Sequence, residues 1–90
     1  MKKITVFGSK HWPGCEPMKE FLSQNNINFN YIEITDSMLN LKTFLKYRDN
    51  YPQFEEIKKK GRIGIPCIMI NNGGKFLFED SDNIIEELKA

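Results

Sequence analysis

The 90-residue chain predicts an α/β fold, a mixed four-stranded sheet flanked by helices. Three observations carry this expectation. A strand, an amphipathic helix and a second strand open the chain as a βαβ unit. "IPCIMI" at 65–70 is an uninterrupted apolar run, as a strand covered on both faces requires. "NNGG" at 71–74 follows it and signals a hairpin into a fourth strand. The expected order is β-α-β-α-β-β-α, with the second helical region in two pieces.

Each element has a local reason. "KITVF" at 3–7 is rich in β-branched and aromatic residues and reads as a buried strand. Gly8 to His11 turn the chain. From Pro13 to about Gln24, Met18, Phe21 and Leu22 recur at helical spacing, and Asn25–Asn26 ends the helix. "NFNYIEI" at 28–34 alternates as a second strand, with Phe29, Tyr31 and Glu33 on one side. Asp36 or Ser37 caps a helix carrying Leu39, Leu41, Phe44, Leu45 and Tyr47, which Asp49 and Asn50 break. Pro52 suits the first turn of a short helix that buries Phe54 and Ile57 and stops at Gly61. Pro66 can stand only at the start of the 65–70 strand. "KFLFE" at 75–79 returns, and Ser81 or Asp82 caps a last helix with Ile84, Ile85 and Leu88 inward.

Composition narrows the function. An apolar fraction of 40% and a charged fraction of 28% describe an ordinary globular domain, here a single one spanning 1–90. A formal charge of +1 gives no broad field to attract nucleic acid or an acidic membrane. The basic run Lys58, Lys59, Lys60, Arg62 suits a solvated helix end. No stretch spans a bilayer, and the apolar run after Lys2 and Lys3 is too short for a signal peptide. A cytoplasmic, monomeric protein is expected. Two cysteines make no disulfide framework, and Cys15, Cys67 and His11 form no metal-ligand spacing.

The stretch "VFGSKHWPGCEPMKEFL" at 6–22 carries the chemistry. A helix N-terminus gathers unpaired N–H groups and positive potential, which stabilises a thiolate placed there. Two registers fit. Pro13 as the first helical residue puts the cap at Trp12 and Cys15 inside the first turn. A cap at Cys15 instead puts Pro17 in the first turn, where its missing N–H costs nothing.

This region resembles the glutaredoxins of the thioredoxin-like fold. "ITVFGSKHWPGCEPMKEFL" is similar to their strand, turn and helix, which carry Cys-Pro-x-Cys. "GRIGIPCIMI" resembles their Val-Pro strand, whose cis proline faces the active site. A hairpin follows, and the polar "EDSD" opening the last helix stands where the family holds the glutathione α-carboxylate. The resemblance implies thiol–disulfide exchange on disulfides or glutathione mixed disulfides, with no bound cofactor and glutathione as a possible co-substrate. It puts Trp12 at the attacking position and Cys15 at the resolving one. It implies Lys10, Pro13, Ile65, Pro66, Ser81 and Asp82 as substrate-binding residues, Lys10 with a one-residue offset. The family's Gly-Gly pair before the last helix is replaced by "FLFED", and the 37–60 region is longer than in a short glutaredoxin.

Trp12 stands where the family has its nucleophile. Three explanations account for it: natural loss that leaves a redox-inactive binding module, an engineered change, or a selenocysteine codon. Selenocysteine is specified by UGA, one base from the tryptophan codon UGG, and some bacterial glutaredoxin-like proteins carry it at this position. The intact Pro-Gly-Cys and Ile-Pro elements favour a site in use. Cys67 reads as a buried strand cysteine or as a thiol near the active face. Arg62 can grip a carboxylate or close a helix, and His11 can donate a proton or simply sit exposed.

Overall fold

A computed structural model describes residues 2–90. The strand β1 (Ile4–Gly8) is buried along its whole length. It lies between β2 (Asn30–Glu33), which it pairs in parallel, and β3 (Cys67–Ile70), which it pairs antiparallel. β4 (Lys75–Phe78) closes the edge as the return of the hairpin, giving the order β2-β1-β3-β4. The helices are α1 (Cys15–Gln24), α2 (Met38–Asn50), α3 (Glu55–Lys59) and α4 (Ile84–Lys89), with a 3-10 turn at Pro52–Phe54.

Period-two alternation sorts the strand residues onto two unlike faces. Ile4, Val6, Ile68, Ile70 and Leu77 meet Met18 and Leu22 of α1 and Ile84 and Leu88 of α4 in an aliphatic layer. Phe7, Cys67, Met69 and Phe76 meet Phe44, Tyr47 and Phe54 in an aromatic one. In the aromatic layer Phe54 packs edge-on against Phe44, Phe76 and Phe78, with centroids 6.0, 4.9 and 5.2 Å away. Such pairs contribute about 0.5–1.5 kcal/mol each beyond the area they bury.

Several boundaries differ from those the sequence suggests. β1 extends through Gly8, because the Gly8 carbonyl accepts the Ile34 N–H at 2.9 Å and prolongs the pairing with β2. α1 begins at Cys15 with Gly14 at the cap, so Pro13 lies outside the helix. A helix starting at Pro13 would ask the Pro17 nitrogen for a hydrogen bond that it cannot donate. α2 runs through Asn50, whose side chain donates back to the Lys46 carbonyl at 2.8 Å. Ser37 caps that helix through Asn40 N–H. Neither Ser81 nor Asp82 caps α4. Asn83 does so by position, in the left-handed region and without a side-chain bond, while the Ser81 hydroxyl accepts the Phe78 N–H at 2.8 Å. The hydroxyl satisfies the nearer turn first, a competition common for serine. No helix among the described residues is long and apolar enough to cross a membrane.

Candidate functional site

The turn between β1 and α1 lays residues 12 and 15 on one tight loop. Trp12 N–H donates to the Ser9 carbonyl at 3.1 Å, and Cys15 N–H donates to the Trp12 carbonyl at 3.2 Å. This three-residue closure brings the two side chains to the same end of α1, one outside and one inside. Trp12 is 41% exposed, whereas Cys15 is fully buried. The Cys15 sulfur accepts the Ser9 N–H at 3.3 Å.

Gly8 makes the room for that sulfur. A Cβ there would lie 3.0 Å from Cys15 Sγ and 2.9 Å from the Tyr31 hydroxyl, so any larger residue would displace one of them. Tyr31 donates to Glu33 at 3.3 Å. Glu33 also receives the Lys10 N–H at 2.9 Å and the Thr35 hydroxyl. Burial works against Glu33 ionisation, but the hydrogen bonds from Thr35, Lys10, Ser9 and Tyr31 together outweigh it and hold the carboxyl below its ordinary value.

Burial pushes the Cys15 thiol above the ordinary 9.0. The Ser9 N–H pulls the other way, and the charges of Glu33, Glu79 and Glu16 raise it further. The helix terminus, which by itself would favour a thiolate, is outweighed. Burial followed by the Glu33 charge raises the Tyr31 phenol as well.

The Ile65–Pro66 peptide bond is cis. Pro66 faces the turn, with its Cδ 3.5 Å from where a Gly14 Cβ would stand. Trp12, Ile65 and Pro66 share the wall of a groove of about 530 Å³ with Ile63, Phe78 and Glu79. Arg48 of α2 positions the loop that leads into this wall. Its guanidinium donates to the Ile63 carbonyl at 2.8 Å and to the Arg62 carbonyl at 2.7 Å. Gly64, at φ +99, lets that loop pass over Phe54 and Ile57.

The structure therefore brings Trp12, Cys15, Ile65 and Pro66 together. Pro13 is exposed in the turn beside them. Lys10 is directed elsewhere: its ammonium lies 3.5 Å from Asp36, beyond the β2 end of the site. Ser81 sits across from Gly14 with its hydroxyl engaged by Phe78, and Asp82 is exposed on the turn before α4. His11 is held in the turn by its N–H, which donates to the Ser9 hydroxyl at 3.1 Å. Arg62 lies 3.9 Å from Asp80. Cys67 is fully buried in β3 on the aromatic face, and burial alone raises its thiol strongly. Sequence reasoning missed Tyr31, Glu33 and Arg48, and it met Glu79 only as part of the polar "EDSD" stretch. Glu33, the one ionised residue in that strand, was a usable signal for the first two, and nothing local marked Arg48.

A β-α-β unit, a cis proline before an antiparallel pair and a thiol at the first helical residue define a thioredoxin-like fold. In agreement, the chain superimposes on the crystal structure of a mutant of the thioredoxin-like protein BC3987. The TM-score is 0.66 at 21% identity, covering 99% of this chain and 96% of that one. The glutaredoxin family model matches residues 4–76. An uncharacterized protein of Haemophilus influenzae (strain ATCC 51907 / DSM 11121 / KW20 / Rd) is 32% identical over 73 residues, 81% of this chain and 85% of that protein. The chain belongs to the glutaredoxin family, and family and fold together give it a thiol-oxidoreductase-like function.

Proposed function

We propose that this site carries out thiol–disulfide exchange on disulfides or glutathione mixed disulfides, with position 12 as the attacking position and Cys15 as the resolving thiol. The observation that supports the reading best is the closed turn from 12 to 15. It leaves residue 12 exposed at the groove beside Pro66 and keeps Cys15 inside, with its sulfur held by Ser9 N–H. A cysteine thiolate or selenolate at position 12 would attack one sulfur of a substrate disulfide, form a mixed bond and release the other sulfur as thiolate. The Cys15 thiolate would then attack the atom at position 12 and release the second substrate thiolate. The substrate gains two electrons, the 12–15 pair loses two, and a low-molecular-weight thiol restores it. The backbone of Ile65 would align the substrate as an added strand.

An indole supplies no nucleophile, so the chain with Trp12 performs no attack. Cys15 is a poor substitute, because it is buried and its thiol is raised. The reading expects a UGA codon at residue 12. It also expects Trp12→Cys to reduce a small disulfide in an assay coupled to glutathione or thioredoxin reductase, and Cys15→Ser to slow that variant on dithiol-dependent substrates. Robust turnover by the Trp12 chain, abolished by Cys15→Ser, would make Cys15 the nucleophile. If the codon is UGG and Trp12→Cys gains nothing, the exposed Trp12 at the groove favours a redox-inactive binding module instead.

A further inference from the structure

The groove at Trp12 continues past the turn. Glu79 lines it at one end and, with Gly14, also lines an open trough of about 890 Å³ between α1 and α4, floored by Met18, Phe21 and Ile85. Each is the size of a small-molecule site, and here two are joined edge to edge. Of the five exposed large hydrophobics among the described residues, Trp12 and Ile63 rim the groove and Phe21 lies in the trough. A tripeptide such as glutathione would occupy one half at most.

The charge of this surface is lopsided. Glu79 stands at the junction, with its carboxylate seated against Gly14, and Glu86 lies along the trough, which has no cation among its described lining residues. In the groove Arg62 is 3.9 Å from Asp80, which offsets its charge. Lys60 also lines the groove, and no carboxylate is within 4.0 Å of its ammonium among the described residues. The charges that act on Cys15 are those of Glu33, Glu79 and Glu16, with no cation among them. The family model's match ends at residue 76, ahead of Glu79, Asp80 and Glu86.

We infer that the partner is a polypeptide whose segment crosses both halves, with apolar side chains in the groove and lysine or arginine side chains over Glu79 and Glu86, and that it is preferred over glutathione. Glutathione carries two carboxylates and a net negative charge, so the junction repels it, while a basic segment is attracted. The inference rests on the exchange reading for its chemistry and on the groove and trough for its selectivity.

Trp12 is the single tryptophan of the chain, so its fluorescence reports occupancy of the groove in the protein as it exists. Three probes suffice: a short Lys/Leu peptide around S-methylcysteine, its Glu/Leu counterpart, and S-methylglutathione. The Lys peptide is expected to give a saturable change and to bind at least about tenfold more tightly than the other two at low salt, with the gap shrinking as salt screens it. Glu79→Gln and Glu86→Gln should each weaken it about threefold. Glu87→Gln, whose carboxylate pairs with Lys75 and lines neither half, should not. Melting curves confirm that the variants are folded, and Glu79→Lys should reverse the preference in a second, independent variant.

Equal or tighter binding of S-methylglutathione or the Glu peptide overturns the inference, as does the absence of any saturable change. Trp12→Cys separates the two readings. Equal kcat/KM of that variant on glutathionylated Lys and Glu peptides sinks the selectivity and leaves the exchange chemistry standing. Absence of turnover on every disulfide, with the Lys preference intact in fluorescence, sinks the exchange chemistry and leaves the selectivity standing.

Discussion

Cys15 and Cys67 are equally hidden from solvent, yet they sit in environments of different kinds. Cys67 lies in the middle of the sheet, between Phe7 on β1 and Phe78 on β4 in register, and burial alone acts on its thiol. Cys15 lies one residue into a helix, under a turn, with an N–H pointing at its sulfur and three carboxylates near enough to act on it. Burial by itself makes a thiol inert. Burial beneath a loop only a few residues thick, with polar groups aimed at the sulfur, is what the proposed exchange with position 12 requires.

The largest test of this contrast is all-or-none. In Trp12→Cys treated with a mild disulfide oxidant, peptide mapping should find the 12–15 disulfide and a reduced Cys67. Adding Cys15→Ser should abolish the closure, and adding Cys67→Ala should leave it intact. Recovery of Cys67 in the disulfide would break the contrast.

Stability comes next. Phe54→Ala, which removes a ring shared by three aromatic neighbours, should cost about 3–5 kcal/mol by urea denaturation. Cys67→Ser buries a hydroxyl among apolar groups and should cost about 1–3 kcal/mol. Cys15→Ser should cost less, because Ser9 N–H can donate to the new oxygen as it does to the sulfur. If the two serines cost the same, the polar support at Cys15 is energetically idle.

The pH dependence follows from the raised thiols. Both folded values lie above the ordinary 9.0, so the unfolded chain loses these protons first. Their stabilisation is complete below pH 9 and is lost as pH climbs from there toward the folded values. The slope reaches at most about 1.4 kcal/mol per pH unit for each thiol. The raised Tyr31 phenol adds to the loss above pH 10. Urea midpoints between pH 8 and 10 should therefore fall, and should fall less in Cys67→Ala. A flat profile would mean that neither thiol resists ionisation.

The smallest effect sharpens the difference in electrostatics. Glu79→Gln should move the pH profile of Cys15 alkylation downward, because one carboxylate opposing its ionisation is gone, and should leave Cys67 unmoved. Equal movement of both would show that the charge is not local to the turn.

Much of this molecule was legible residue by residue. "ITVF", "IPCIMI" and "NNGG" specified strands and a hairpin because period and turn chemistry are local properties. The pairing of Trp12 with Cys15 at one turn was legible too, since their separation is three residues. Lys10 was less legible: the sequence placed it before the turn but could not say that Asp36, far along the chain, would draw its ammonium away. Ser81 is a similar case, because its hydroxyl answers to the Phe78 N–H, and a candidate cap looks the same whichever turn it serves.

By itself, then, the sequence determined the order of elements, the two apolar faces and the chemistry offered at the β1–α1 turn. These depend on neighbours within about one helical turn, where sterics and hydrogen bonding are decided before the chain collapses. Tertiary structure alone decided that Arg48 would hold the loop ahead of Ile65, and that Glu33 and Glu79, from opposite edges of the sheet, would both act on one sulfur. Those outcomes depend on which distant residues the packed sheet and its two layers bring within a few ångströms, and no local pattern encodes that distance.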